Sequence, residues 1–313
     1  MDKPGILEIL ANVFSPSLFY ASLRASAPVM YAGLCAAMTQ QAGILNLGTE
    51  GIMLMGAYLA VAFGYLSGSW LVGIFAAMLG GAIIAGILGV GNLRYQAFLP
   101  AICIGMNLFV LGFTRFLLET NFKVTGVFVD PRIPPIPRIR FDGIPFLGAF
   151  FNNWCLTEWL LILIVPLTWF VIFKTTWGLR IRSVGKMEMA ARTAGLNVNA
   201  YKYQAILVSG LLGGLAGAHL SLGYSNMFVQ GMTNNRGFMG IAAMWFGNAH
   251  PVYTVIGAYI FGFFDSTGSR LQPYGFPSQF VLAIPYIVTV VILALVMLVQ
   301  ARREKRRKSP LSG

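Results

Sequence analysis

Five polar or aromatic side chains stand within otherwise apolar stretches of this sequence: Asn46, Glu50, Asn107, Trp245 and Asn248. Amides offer donors and acceptors, and an indole offers a flat face, so the set is a candidate lining for a substrate path. Plainer roles compete. Asn46 and Asn107 can bond one helix to another, and Trp245 can sit in the aromatic belt of a membrane interface. Glu50 is the outlier, because a carboxylate within a bilayer costs about 2.5 to 3.5 kcal/mol on insertion scales and must face protein or water. It lies in GILNLGTEGIMLMGAYLA, residues 43–60, where a glycine-punctuated polar turn runs into an apolar helix. It reads as a proton, cation or solute site, or as a cap on that helix.

The elements that must hold these residues follow from composition. The chain has 313 residues, 57% hydrophobic and 10% charged, with a mean hydropathy of +0.72. That excludes a soluble globule and predicts an all-α polytopic membrane protein of about eight or nine spans. The net charge of +12 collects in loops beside apolar runs, as orientation by the positive-inside rule requires, so no nucleic-acid partner is expected. Cys35, Cys103 and Cys155 have neither disulfide nor metal-ligand spacing, and no metal or cofactor is expected. The N-terminal segment lacks the basic and continuous apolar regions of a cleavable leader. Ile6, Leu7, Ile9, Leu10, Val13 and Phe14 instead predict an interfacial helix over residues 1–16.

Apolar runs predict spans at residues 18–38, 43–66, 70–90, 100–118, 159–173, 204–224, 251–265 and 280–298, with a short interrupted segment at 236–248. The proline-rich stretch 119–157 cannot span a membrane. Loop 175–203 sets Arg180, Arg182, Lys186, Arg192 and Lys202 against Glu188 alone, and the tail 301–313 contains RREKRRK. Both are expected in the cytoplasm, which places the N-terminus and residues 119–157 outside. TEGIMLMGAY from Thr49 and NRGFMGIAAM from Asn235 share a charge, a glycine, a bulky apolar residue and a methionine at a helix start. Their expected orientations are opposite, the pattern of an inverted repeat whose two short helices flank a substrate path. The whole chain is expected to form a single transmembrane domain.

Four blocks together resemble a known family: GILNLGTEGIMLMGAYLA; AICIGMNLFVLGFTRFLLE from Ala101; GLRIRSVGKMEMAARTAGLNVNAYKYQAILVSGLLGGLAGA from Gly178; and RGFMGIAAMWFGNAHP from Arg236. They look like the membrane permease subunits of bacterial ABC importers, in the simple-sugar and nucleoside branch related to branched-chain amino-acid permeases. The NLGTEGIMLMGA form is similar to nucleoside-type permeases. The resemblance implies a separate ATPase, a second permease subunit that is identical or related, an extracytoplasmic solute-binding protein and a bacterial inner membrane around the chain.

Residues 185–195 also have a physical reading. Helix formers Glu188, Met189, Ala190, Ala191 and Arg192 run up to Gly195, placed to end the helix in a left-handed conformation. Such a short, firm element suits transmission of work between a soluble ATPase and the spans. The resemblance implies that Gly185, Glu188, Ala190, Ala191, Arg192 and Gly195 belong to the coupling helix. The plain alternative is an ordinary basic loop. The chain contains no GxxxxGK[ST], HExxH, CxxC or GxSxG, so it reads as no enzyme. The readings in view are an ABC permease for nucleosides, one for simple sugars or other small heterocycles, an ion-coupled carrier using Glu50, and a passive channel.

Overall fold

The computed structural model describes residues 16–139, 154–271 and 287. The expected interfacial helix at 1–16, the span at 280–298 and the basic tail therefore lie outside the described residues, apart from Pro16 and Ile287. Contacts divide the chain into a unit of residues 26–258 and a second unit built from its two ends. Within the latter, the Ser22 hydroxyl donates to Tyr259 Oη at 3.4 Å.

Helices dominate, and the long apolar ones identify a multi-pass membrane protein. They are α1 (Pro16–Gln41), α2 (Thr49–Ser67), α3 (Trp70–Gly89), α4 (Leu99–Phe122), α5 (Leu156–Lys174), α6 (Thr176–Lys186), α7 (Glu188–Thr193), α8 (Val198–Ala218), α9 (Arg236–Phe246) and α10 (Pro251–Leu271). Among the described residues, five helices are long and apolar enough to cross a membrane: α2, α3, α4, α5 and α8. Two π-turns, Val90–Arg94 and His219–Ser225, extend α3 and α8. Short antiparallel pairs link the connections: β1 (Val127–Phe128) with β4 (Phe228–Val229), and β2 (Arg138–Ile139) with β3 (Trp154–Cys155).

At the centre of the larger unit, α2, α3 and α8 pack on one another. Glycine makes this possible: a Cβ on Gly56 would stand 2.6 Å from the Gly214 carbonyl oxygen, and one on Gly210 would stand 2.6 Å from that of Gly81. Backbones approach so closely only where side chains are absent, the usual means of helix association in lipid. The glycine-rich LLGGLAGA segment of α8 supplies this surface. Most of α2 and α8 is buried, whereas α4 and α5 are largely exposed, with Ile104, Leu108, Phe109, Phe116, Ile162, Leu163, Leu167 and Phe170 on their outer surfaces. Apolar side chains in such positions suit lipid.

Several boundaries differ from expectation, each for a local reason. The second span starts at Thr49 instead of residue 43, since Gly43 adopts φ +77° in a turn. At the stretch 119–157 both flanking helices reach further in than expected: α4 continues to Phe122 before Lys123 turns left-handed, and Leu156 already opens α5. The loop at 175–203 is itself mostly helical. It contains α6, α7 and the start of α8, with Thr175 Oγ1 and Asn197 Oδ1 accepting from Gly178 N and Ala200 N as caps.

Candidate functional site

Residues 44–48 are irregular backbone preceding α2 in an apolar setting, where every unbonded N–H is costly. Asn46 and Asn107 serve them. Asn46 Oδ1 accepts from Gly48 N at 2.9 Å, while the Asn46 carbonyl accepts from Thr49 Oγ1 at 3.1 Å. Asn107, on α4, accepts from Gly51 N through Oδ1 at 2.9 Å and donates through Nδ2 to the Leu47 carbonyl at 3.0 Å. One amide thereby fastens α4 to both sides of the break.

Glu50 reaches the short helix α9. Its Oε1 accepts from Asn235 N at 2.9 Å and its Oε2 from Gly237 N at 2.7 Å. The carboxylate caps the N-terminus of α9 from the first turn of α2. Both helices present partial positive charge at these ends, so a shared anion between them offsets their mutual repulsion. Contact is close, for a Cβ on Gly237 would lie 2.6 Å from Glu50 N and Cα. Asn235, with φ +64°, turns the chain into α9.

The structure thus brings Asn46, Glu50 and Asn107 together and places Trp245 and Asn248 apart. They lie near the far end of α9, about 15 Å along the helix. Trp245 is half-exposed, and Asn248, with φ +48°, is exposed in the turn between α9 and α10. Beside that turn, Gln41 Nε2 donates to the Ala249 carbonyl at 2.8 Å, tying the end of α1 to the start of α10.

The same end of the unit carries residues 185–195. Gly185 packs on the turn after α1, where a Cβ on it would stand 2.8 Å from Gly43 N. Met187, with φ −145°, breaks the segment into α6 and α7, and Gly195 at φ +81° closes it. Ala191 is buried with Val184 and Val198, whereas Met187, Met189 and Ala190 face outward. Glu188 accepts from Lys202 Nζ at 2.7 Å and from Arg192 Nη2 at 2.9 Å, and the Lys202 hydrogen bond foremost holds its carboxyl below the usual carboxylate range.

Cavities among the described residues were not anticipated from sequence, and two of them bear on function. One, of about 810 Å³, lies between α2, α4 and residues 124–130; Tyr58, Tyr65, Phe122 and Phe128 line it, and Asn121 Nδ2 donates to Tyr58 Oη at 3.0 Å. Tyr58 and Tyr65 are seven residues apart, one helix face, which is the signal that could have located it. The other, of about 500 Å³, lies beside Gln41 and Lys186. Among the described residues, no three His, Cys, Asp or Glu side chains gather as a metal site.

The model of the branched-chain amino acid transport system permease component matches residues 18–299. The chain belongs to this family. The permease is similar to the guanosine ABC transporter permease protein NupQ of Bacillus subtilis, 33% identical, with 92% of each chain covered. It is 32% identical to the nucleoside ABC transporter permease protein NupC of Lactococcus lactis, over 86% of this chain and 89% of that one. A putative glucose ABC transporter permease protein of Haloferax volcanii, TsgC13, is 32% identical over 83% and 79%. The protein is a membrane permease subunit of an ABC-type importer and no catalyst itself. The family implies the general architecture of ATPase, paired permease and solute-binding protein.

Proposed function

We propose that this permease carries nucleosides into a bacterial cytoplasm, driven by a separate ATPase. The observation that carries the reading is the aromatic cavity of about 810 Å³, whose tyrosine and phenylalanine faces suit a planar base and whose Tyr58 and Asn121 suit hydroxyls. Similarity to permeases named for guanosine and nucleosides supports it, and the sugar-type relative keeps simple sugars or other small heterocycles as the second reading. Glu50 has both carboxylate oxygens engaged by backbone N–H groups, which disfavours its use as an ion-coupling site.

Within this reading the chain crosses the inner membrane with its N-terminus outside and C-terminus inside, in about eight or nine segments. Span α2 and the short helix α9 form the inverted pair, and Asn46, Glu50, Asn107, Trp245 and Asn248 border the path. The ATPase docks on α7, with Met187, Met189 and Ala190 at the contact and Gly185, Glu188, Ala191, Arg192 and Gly195 shaping the element beneath. A second permease subunit, related or identical, and an extracytoplasmic binding protein complete the importer, and lipid surrounds the rest.

Uptake of labelled guanosine, uridine and glucose into vesicles bearing the complete importer tests this. Nucleoside uptake that persists after collapse of the proton gradient and membrane potential but stops when the ATPase is inactivated is expected. Glucose uptake alone would select the sugar reading; uptake abolished by collapse of the gradients would select an ion-coupled carrier.

A further inference from the structure

The 500 Å³ cavity is lined by Gln40 and Gln41 at the end of α1, Phe173 of α5, Arg182 and Lys186 of α6, and residues 247–250 with Tyr253. Three of its polar atoms are buried with no hydrogen-bond partner: Arg182 Nε, Gln40 Oε1 and His250 Nδ1. Two cations line it and no carboxylate does. A buried donor on a guanidinium is costly to leave unsatisfied, which asks for an acceptor, and the charge imbalance asks that it be anionic. The aromatic groups are already committed to one another. His250 lies 5.0 Å from the Phe173 ring and 4.7 Å from that of Tyr253, while Arg182 stacks on Phe173 at 4.7 Å. Phe173 and His250 are thus engaged by neighbours, and the unmet needs of the cavity are those of its polar groups, which an oxyanion fits. Turning the Gln40 amide over presents Nε2 as a further donor. We propose that this cavity binds a phosphate group on Arg182 and Lys186, with His250, Gln40 and Asn248 as neutral partners, beside the α6–α7 segment. The group comes from an anionic phospholipid headgroup or from soluble phosphate, and the proposal is independent of which solute the permease carries.

The full importer, purified in a neutral detergent, tests it as wild type, Arg182→Gln and Lys186→Gln; the exposed Lys186 guards against a folding defect in the first variant. Phospholipid retained per complex is counted by phosphorus nuclear magnetic resonance, and delipidated complex is titrated with inorganic phosphate against a chloride control. Retained phosphatidylglycerol that drops in both variants identifies the lipid source. Saturable phosphate binding weakened about ten- to a hundredfold in both, without retained lipid, identifies the soluble source. Equal lipid retention and equal phosphate response in all three proteins overturns the proposal.

Discussion

At the scale of single residues, Glu50 and Glu188 show how a carboxylate's partners decide its role. Glu50 offers one oxygen to each of two N–H groups at the start of α9. Glu50→Gln keeps one acceptor but turns an amide N–H2 toward the other donor and removes the charge shared by two helix ends. We expect destabilisation of about 1 to 3 kcal/mol, read as a lower Tm of the detergent-solubilised protein, with solute affinity unchanged where the protein remains folded. Glu188 has a lowered pKa, so its stabilising ion pairs are fully present above the unfolded-state value of about 4.3 and are lost as pH falls through the lower folded value. Hydrogen exchange in residues 188–202 should therefore rise as pH drops below about 4.3, after correction for intrinsic rates, and Glu188→Gln should remove that dependence. The sequence made Glu50 conspicuous, since a charge among apolar residues has few explanations. It could not name Asn235 and Gly237 as donors, because backbone N–H groups carry no signature in composition.

At the scale of elements, the central trio of α2, α3 and α8 stands on glycine contacts. Gly214→Val drives a side chain into the Ala77 backbone and should abolish accumulation of folded protein in the membrane. Gly105, on exposed α4, meets nothing within 4 Å, and Gly105→Ala should be neutral or raise stability by up to about 1 kcal/mol through helix propensity. Expression paired with fluorescence-detected size exclusion separates the two outcomes. Hydropathy made these spans legible, from Trp70 at the start of α3 to the glycine-rich run of α8. It gave no sign of the π-turns at Val90–Arg94 and His219–Ser225, which depend on hydrogen-bond register along the backbone. In the second, the Gly223 carbonyl accepts from Cys155 Sγ at 3.1 Å and Arg138 Nη2 at 3.2 Å, partners far away in sequence. The break at Met187 was hidden because Lys186, Met187, Glu188 and Met189 all favour helix, with Gly185 the one nearby hint.

At the scale of the whole molecule, the natural cysteines provide a test of orientation. Cys35, Cys103 and Cys155 are all buried, so they should remain silent to an impermeant maleimide. A cysteine introduced at exposed Met189 should label only from the cytoplasmic side of sealed cells or inverted vesicles, and one at exposed Thr125 only from the outside. Labelling of both from one side would refute the proposed topology. Met189→Glu should also lessen recovery of the ATPase in pull-downs without unfolding the permease, since this side chain is largely exposed while neighbouring Ala191 is buried. The family and the multi-pass architecture were legible in the sequence because they reside in long patterns. The cavities were not, since their walls assemble residues as distant as Gln40 and Tyr253.

The hydrogen bond between Glu50 and Gly237 also sets an order of events during synthesis, because its partners are 187 residues apart. At about 5 to 20 residues per second, a ribosome needs roughly 10 to 40 s between them. For that interval α2 has its carboxylate but neither of its final donors, and a bare charge is expelled from hydrocarbon. The start of α2 must therefore wait near water or the insertion machinery until residues 235–237 emerge. Nascent chains arrested before Asn235 should leave a cysteine in place of Thr49, with Glu50 retained, open to aqueous labelling, and chains extended past α9 should close it, as Thr49 is buried in the finished fold.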